Sequence, residues 1–349
     1  MRKFTVLALV LVAACRSAGE PAPTPAPAAV AKPAAQEPAV APAAAPVAAE
    51  PHAPAAAAKA PTPVYDEHAD ANADLAAALA KAKKENRRVL VQWGANWCGW
   101  CTLLDKAFKS DAKLARKLMY EYDLVHVDIG RFDKNVELAT RYGADLKGNG
   151  VPFLTVLDAD GKPVANQETG SLESDVPDKH EHDVAKVLAF LEKHQAPYLA
   201  AQDVLAEALA RAKREDKRVF LHFGAPWCGW CHRLEDWMAQ EKVAALLAKD
   251  FVDVKIDQDR MTGAEELQKS YPKSAQAGIP WFAFLDADGK TLVDSTMPDG
   301  NNTGYPAAEA EVAYFVTMLD AARVRLTPDD VAALKKSLDD EAARLKLRR

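Results

Sequence analysis

The sequence predicts an α/β protein of two tandem domains, each a mixed central sheet flanked by helices, after a disordered linker rich in Ala and Pro. Three observations carry that prediction. Residues 75–101 and 205–231 align without a gap. Both copies run through the same succession of helix-period and strand-like stretches around a Trp-Cys-Gly-Trp-Cys motif. The stretch ahead of them is mostly Ala and Pro, with hardly any large apolar residue. At 349 residues the chain is long for one ordinary domain and suits two of roughly 100–150 residues.

From the N-terminus, "MRKFTVLALVLVAAC" opens with Arg2 and Lys3, continues with an apolar run from Phe4 to Val12, and ends in small residues before Cys15. That is the build of a secretory signal segment over 1–14, with an apolar run too short for a spanning helix. Val12-Ala13-Ala14-Cys15 resembles the lipobox of bacterial lipoproteins, which implies a lipidated Cys15 and attachment to a membrane through that lipid. Arg16 in place of Asp then favours the outer over the inner membrane. The alternative is an ordinary signal peptide with an incidental cysteine. Across 15–64, repeated Pro forbids helix propagation and too little apolar surface offsets the cost of ordering the chain. This stretch is expected to be an extended linker.

The first domain is expected over 65–196 and the second over 197–326. Leu75, Leu79 and Ala82, matched by Leu205, Leu209 and Ala212, fall at i, i+4 and i+7 and predict an amphipathic helix. "KAKKENRR" and "RAKREDKR" close it. "VLVQWGA" and "VFLHFGA" read as buried strands leading into the cysteine motifs. Helical patterns follow, with Leu103, Leu104 and Phe108 or Leu234, Trp237 and Met238 as apolar positions. "LVHVDIG" and "FVDVKIDQD" predict second strands. "GVPFLTVLDADGKPV" and "GIPWFAFLDADGKTL" predict hairpins whose Asp-Ala-Asp-Gly turn needs glycine for its positive φ. A last helix is expected from about 178 to 194 and from about 306 to 323. Residues 327–349 form a C-terminal helix opened by Thr327 as N-cap and Pro328 at the first position. Its stripe of Val331, Leu334, Leu338 and Leu345 is expected to dock on the chain's own second domain.

The formal net charge of -6 gives no reason to expect a nucleic-acid partner, which asks for a clustered basic surface. Four of the five cysteines stand in the two C-x-x-C pairs, and that arrangement points to thiol chemistry or to a metal rather than to a disulfide framework. Two pairs supply enough thiolates for a zinc site. Against it, a Trp stands before and between the cysteines, and the pairs lie in separate repeats. No metal is expected.

Trp-Cys-x-x-Cys after a strand, followed about fifty residues later by an apolar-Pro pair before a hairpin, resembles the thioredoxin family. The Ala-rich helix leading into "FGAPWC" is most similar to its extracytoplasmic disulfide-interchange branch. The resemblance spans about 66–325 and implies a protein thiol–disulfide oxidoreductase that needs no cofactor beyond its cysteines. Exchange needs one thiol that attacks and a second that resolves the mixed disulfide. A helix start favours the thiolate, so Cys98 and Cys228 take the attacking role, while Cys101 and Cys231 resolve. Pro152 and Pro280 match the family's cis proline, and the backbone of Val151 and Ile279 would then pair with an extended substrate segment. Trp97 and Trp227 are expected to wall the sites. Trp100 and Trp230 sit between the cysteines, where neither His nor Pro is present, which argues against a very strong oxidant.

Six residues before the attacking cysteines stand Gln92 and His222, where the family keeps a buried acid. Gln92 does not titrate; His222 can act as a base or be a core histidine held by a hydrogen bond. His180, His182 and His194 are expected to be solvated on helix surfaces, and His232 to lie on an exposed helix face. The resulting expectation is a lipid-anchored reductase or isomerase on the periplasmic side of a bacterial envelope. Its partners would be thiol- or disulfide-containing envelope proteins, with a membrane electron donor. The competing reading is a chaperone-like adaptor that uses the grooves without redox turnover.

Overall fold

The computed structural model describes residues 63–347; the signal segment, Cys15 and the Ala/Pro-rich stretch through residue 62 lie outside them. In the first repeat the order is α1 (Ala71–Glu85), β1 (Arg88–Gly94), α2 (Gly99–Ser110), α3 (Ala112–Glu121) and β2 (Tyr122–Asp128). The short helices α4 (Val136–Arg141) and α5 (Leu146–Asn149) follow, then β3 (Phe153–Leu157), β4 (Pro163–Glu168) and α6 (Val184–His194). The second repeat begins with β5 (Leu199–Ala200), α7 (Ala201–Glu215), β6 (Arg218–Gly224), α8 (Gly229–Ala239), α9 (Glu241–Leu247) and β7 (Phe251–Asp257). It ends with β8 (Met261–Thr262), α10 (Ala264–Lys269), β9 (Trp281–Leu285), β10 (Thr291–Asp294), α11 (Glu309–Ala322) and α12 (Pro328–Leu347).

Each repeat builds one mixed four-stranded sheet, ordered β2-β1-β3-β4 and β10-β9-β6-β7. The central strands β1 and β6 pair parallel with β2 and β7, and antiparallel with β3 and β9. Side chains alternate across a strand, and that alternation makes two cores per repeat. Val89, Val91 and Trp93 pack with α1, while Leu90 packs with Leu104 of α2 and Val187 of α6. Gln92 and His222 therefore point to the side of the cysteine helices. Local chemistry sets the element ends. Asp70 caps α1 by accepting from the N–H groups of Asn72 and Ala73, and Asn86 closes it in the left-handed region. Gly161 and Gly289 take φ values of 82° and 87° in the two hairpin turns, as the Asp-Ala-Asp-Gly pattern requires.

Three details differ from the sequence expectation. The cysteine helices are broken, because Asp111 leaves α2 with extended backbone and caps α3; Gln240 takes the same position between α8 and α9. The last helix of the first repeat starts at Val184, capped by Asp183, which leaves His180 and His182 ahead of it. His182 is buried rather than solvated, and His194 in the last turn of α6 rests against Phe190, with 5.0 Å between ring centroids.

Among the described residues no helix is long and apolar enough to cross a membrane. On α12, Val331, Leu334 and Leu338 are buried with Trp237 and Phe315 in the core of the second repeat, and Leu345 packs at its margin. Arg260 joins the two repeats. Its guanidinium donates to Glu121 and to the carbonyls of Glu85 and Asn86 at the end of α1.

Candidate active site

Two equivalent sites stand where β1 and β6 run into their cysteine helices. Cys98 and Cys228 are the N-caps of α2 and α8, and each sulfur accepts from the backbone N–H three residues on, Cys101 or Cys231, at 3.1 Å. A helix start leaves its first N–H groups unpaired and carries the positive end of the dipole, so a sulfur there is stabilised as an anion. Both pairs are closed as disulfides within their own repeat, Cys98–Cys101 and Cys228–Cys231. Across the site, Val151 O lies 3.5 Å from Cys98 Sγ and Ile279 O lies 3.7 Å from Cys228 Sγ. The Val151–Pro152 and Ile279–Pro280 peptide bonds are cis.

The tryptophans divide into two roles. Trp100 packs beside the cysteines with Val151. Trp230 lies against Ile279, Pro280 and Tyr305 in a groove of about 470 Å³, to which Leu345 of α12 contributes a wall. Trp97 and Trp227 are 45% and 57% exposed. Their indole N–H groups are tied to the loops after β2 and β7, Trp97 to Gly130 O and Trp227 to the Asp259 carboxylate.

At the positions six residues before the first cysteines, the sites differ. Gln92 Nε2 donates to the Tyr65 hydroxyl at 2.8 Å and to Cys101 O at 3.2 Å. His222 Nε2 lies 3.0 Å from Asp253 Oδ1. Desolvation pushes the Asp253 carboxyl up, but His222 together with Lys84 and Lys255 outweighs it and holds the group below the usual Asp range. His232 is part-exposed on α8 and its Nε2 meets Pro226 O.

Several neighbours of the cysteines escaped the sequence reading. Asp105 and Glu235, one helical turn beyond the resolving cysteines, are buried and face His126 and Lys255 on the adjacent strands. The signal was present, since both copies keep an acid four residues after the second cysteine. Burial pushes the His126 imidazole below its ordinary value, although Asp105 pulls the other way. Tyr65 has no counterpart in the second repeat, so the repeat comparison did not reveal it. His182 turns its ring edge-on to Trp100 at 5.4 Å. Among the described residues no group of three or more His, Cys, Asp or Glu is arranged for a metal.

Comparison with known proteins agrees with this geometry. A family described as thioredoxin-like matches residues 70–159. A second, named for a DsbH-type thioredoxin and described as a protein of unknown function, matches 180–335. Protein disulfide-isomerase erp38 of Neurospora crassa is 29% identical over 273 residues, covering 75% of this chain and 65% of that protein. Human spermatogenesis-associated protein 20 is 33% identical over 76 residues, covering 22% of this chain and 10% of that protein. The chain thus spans less than two thirds of the length of these curated relatives. Among solved structures, a disulphide isomerase from Xylella fastidiosa Temecula1 is 32% identical, with 38% of this chain and 98% of that one covered and a TM-score of 0.34. The chain thus carries a thioredoxin-like domain over 70–159 and a region matching a DsbH-type thioredoxin family over 180–335.

Proposed function

We propose that this protein is a thiol–disulfide oxidoreductase of the bacterial envelope, a reductase or isomerase that acts on other proteins at both Cys-Gly-Trp-Cys sites. The observation that carries the reading is the twice-repeated setting of the first cysteine. Its sulfur caps a helix, accepts the N–H three residues on, and lies against the carbonyl that precedes a cis proline. The disulfide-isomerase name of the Neurospora relative supports it.

In the reduced form the Cys98 or Cys228 thiolate attacks one sulfur of a client disulfide, and the other client sulfur leaves as a thiolate with the electron pair of the broken bond. Cys101 or Cys231 then loses its proton and attacks the mixed disulfide. The protein pair closes and the client's first sulfur is released. Two electrons pass from the protein to the client, so a donor must restore the thiols. The extended client chain lies along Val151–Pro152 or Ile279–Pro280, beside Trp100 or Trp230. Anchoring through Cys15 at the outer membrane, with electrons from a membrane donor, completes the proposed setting.

Insulin reduction by the full chain tests the reading. Cys98→Ser and Cys228→Ser should each lower turnover, and together abolish it. Undiminished client binding by a variant with all four motif cysteines changed to Ser, with no wild-type insulin reduction, would instead establish an adaptor.

A further inference from the structure

The segment ahead of α1 reaches into the first site and not the second. Tyr65 is 1% exposed and forms one buried cluster with Cys98 and Cys101. Asn96, just before Trp97, grips it from both sides: Tyr65 N–H donates to Asn96 Oδ1 at 3.0 Å, and Asn96 Nδ2 donates to Tyr65 O at 2.9 Å. The same Nδ2 donates to Glu67, whose carbonyl accepts from Lys134 Nζ. In the second repeat Pro226 stands where Asn96 does, and its side chain has nothing to grip with.

The phenol oxygen and the resolving sulfur both lie beside the open Cα face of Gly94. A Cβ built on Gly94 would lie 2.3 Å from the Tyr65 hydroxyl oxygen and 2.7 Å from Cys101 Sγ, so their separation is bounded by the sum of those two distances. Gln92 decides what the hydroxyl can do. Its Nε2 serves Cys101 O, an acceptor, and therefore must also be the donor to the Tyr65 oxygen. The phenol's own hydrogen then has no oxygen or nitrogen acceptor among the described residues, and the adjacent group able to take it is the sulfur.

We propose that Tyr65 is a catalytic residue of the first site, whose hydroxyl donates a hydrogen bond to the Cys101 thiolate formed when the mixed disulfide is resolved. This rests on the oxidoreductase reading above. As Cys101 gives its proton to solvent base, the Tyr65 O–H turns to the new anion. The thiolate attacks Cys98 Sγ, the Cys98–Cys101 bond forms, and the client sulfur departs with the electrons of the bond it loses. Tyr65 keeps its own proton throughout. Burial pushes the phenol well above its ordinary pKa, so it acts as a donor and not as a base.

The second site answers the same need differently. A Cβ on Gly224 would lie 3.5 Å from both Cys231 Sγ and Lys255 Cε, so a lysine stem occupies the region that the phenol fills in the first site. Its ammonium is held by Glu235 at 2.8 Å.

The test is the thiol titration of Cys101 in the full chain carrying Cys98→Ser, Cys228→Ser and Cys231→Ser, read by alkylation of the Cys101 peptide in a mass spectrum. Loss of a hydrogen bond to a charged acceptor is worth about tenfold or more, so Tyr65→Phe should raise the Cys101 midpoint by about one unit. Cys231, titrated in the mirror background, should not move. An unchanged Cys101 midpoint in folded Tyr65→Phe protein overturns the proposal. Should that variant fail to fold, 3-fluorotyrosine at position 65 keeps the shape and strengthens the donor; it should lower the midpoint, and no change overturns the proposal. Absence of insulin reduction by the wild type, with the midpoint shift intact, would remove the oxidoreductase reading and leave the hydrogen bond standing.

Discussion

The Tyr120 hydroxyl of the first repeat donates to Asp259 Oδ2 of the second at 2.7 Å, and the same oxygen accepts the Trp227 indole N–H at 3.0 Å. The tryptophan that precedes Cys228 is thus oriented through a carboxylate that the other repeat also holds. Trp97 has no such tie, because Gly130 stands where Asp259 does and offers only its carbonyl. Tyr120→Phe removes one hydrogen bond to a charged acceptor. It is expected to weaken the contact between repeats by about 1.5 kcal/mol and to change Cys228 alkylation and Trp227 emission, with Cys98 alkylation unaltered. Equal effects at both cysteines would contradict this one-sided link.

Arg260 is the costlier contact to break. It is 3% exposed and pairs with Glu121, itself 1% exposed and also bonded by the Tyr198 hydroxyl. Arg260→Met leaves Glu121 charged and buried, which costs about 3–5 kcal/mol. The double variant Arg260→Met with Glu121→Gln should regain a large part of that loss in denaturant unfolding. A double variant no more stable than the single would show that the charge is not the reason. The aligned Arg131 in the first repeat lies over the Trp97 ring instead.

His182 makes stability depend on acid. Burial pushes its imidazole down to about 4, against about 6.5 in an unfolded chain. Below about pH 6.5 the unfolded chain takes up a proton that the folded chain refuses until about pH 4. Stability therefore falls as pH drops through that window, by on the order of 2–3 kcal/mol. His182→Leu should remove this slope in chemical unfolding at a series of pH values. Among the described residues neither ring nitrogen has a hydrogen-bond partner, so the substitution should cost little at pH 7.

At the second site His222 Nε2 meets Asp253 Oδ1, where the first site has Gln92 on the Tyr65 hydroxyl. His222→Gln is expected to change Cys228 alkylation and turnover at the second site, with Cys98 unaltered. Rates unchanged by the substitution would leave His222 as a core residue held by Asp253.

Much of this was legible in the residues. Period-3.6 and period-2 patterns located most helices and strands because each element must turn its apolar side to a core. The doubled Trp-Cys-Gly-Trp-Cys placed the cysteines at helix starts. His182 was misread, since a short polar stretch such as "DKHEHD" looks solvated until its neighbours are known; His180 beside it is exposed as expected. Trp100 lies edge-on to the His182 ring, and no local pattern encodes that.

The sequence alone determined that one fold is written twice, each copy with a cysteine pair at a strand-to-helix turn, because those features depend on neighbours a few residues apart. Only the tertiary structure decided how the copies differ. Tyr65 reaches Cys101 from 36 positions upstream, and Asp259 ties Trp227 to Tyr120 of the other repeat. Hydrogen bonds of this kind depend on distances of about 3 Å between residues far apart in the chain, and those distances exist only once both sheets and their helices are packed.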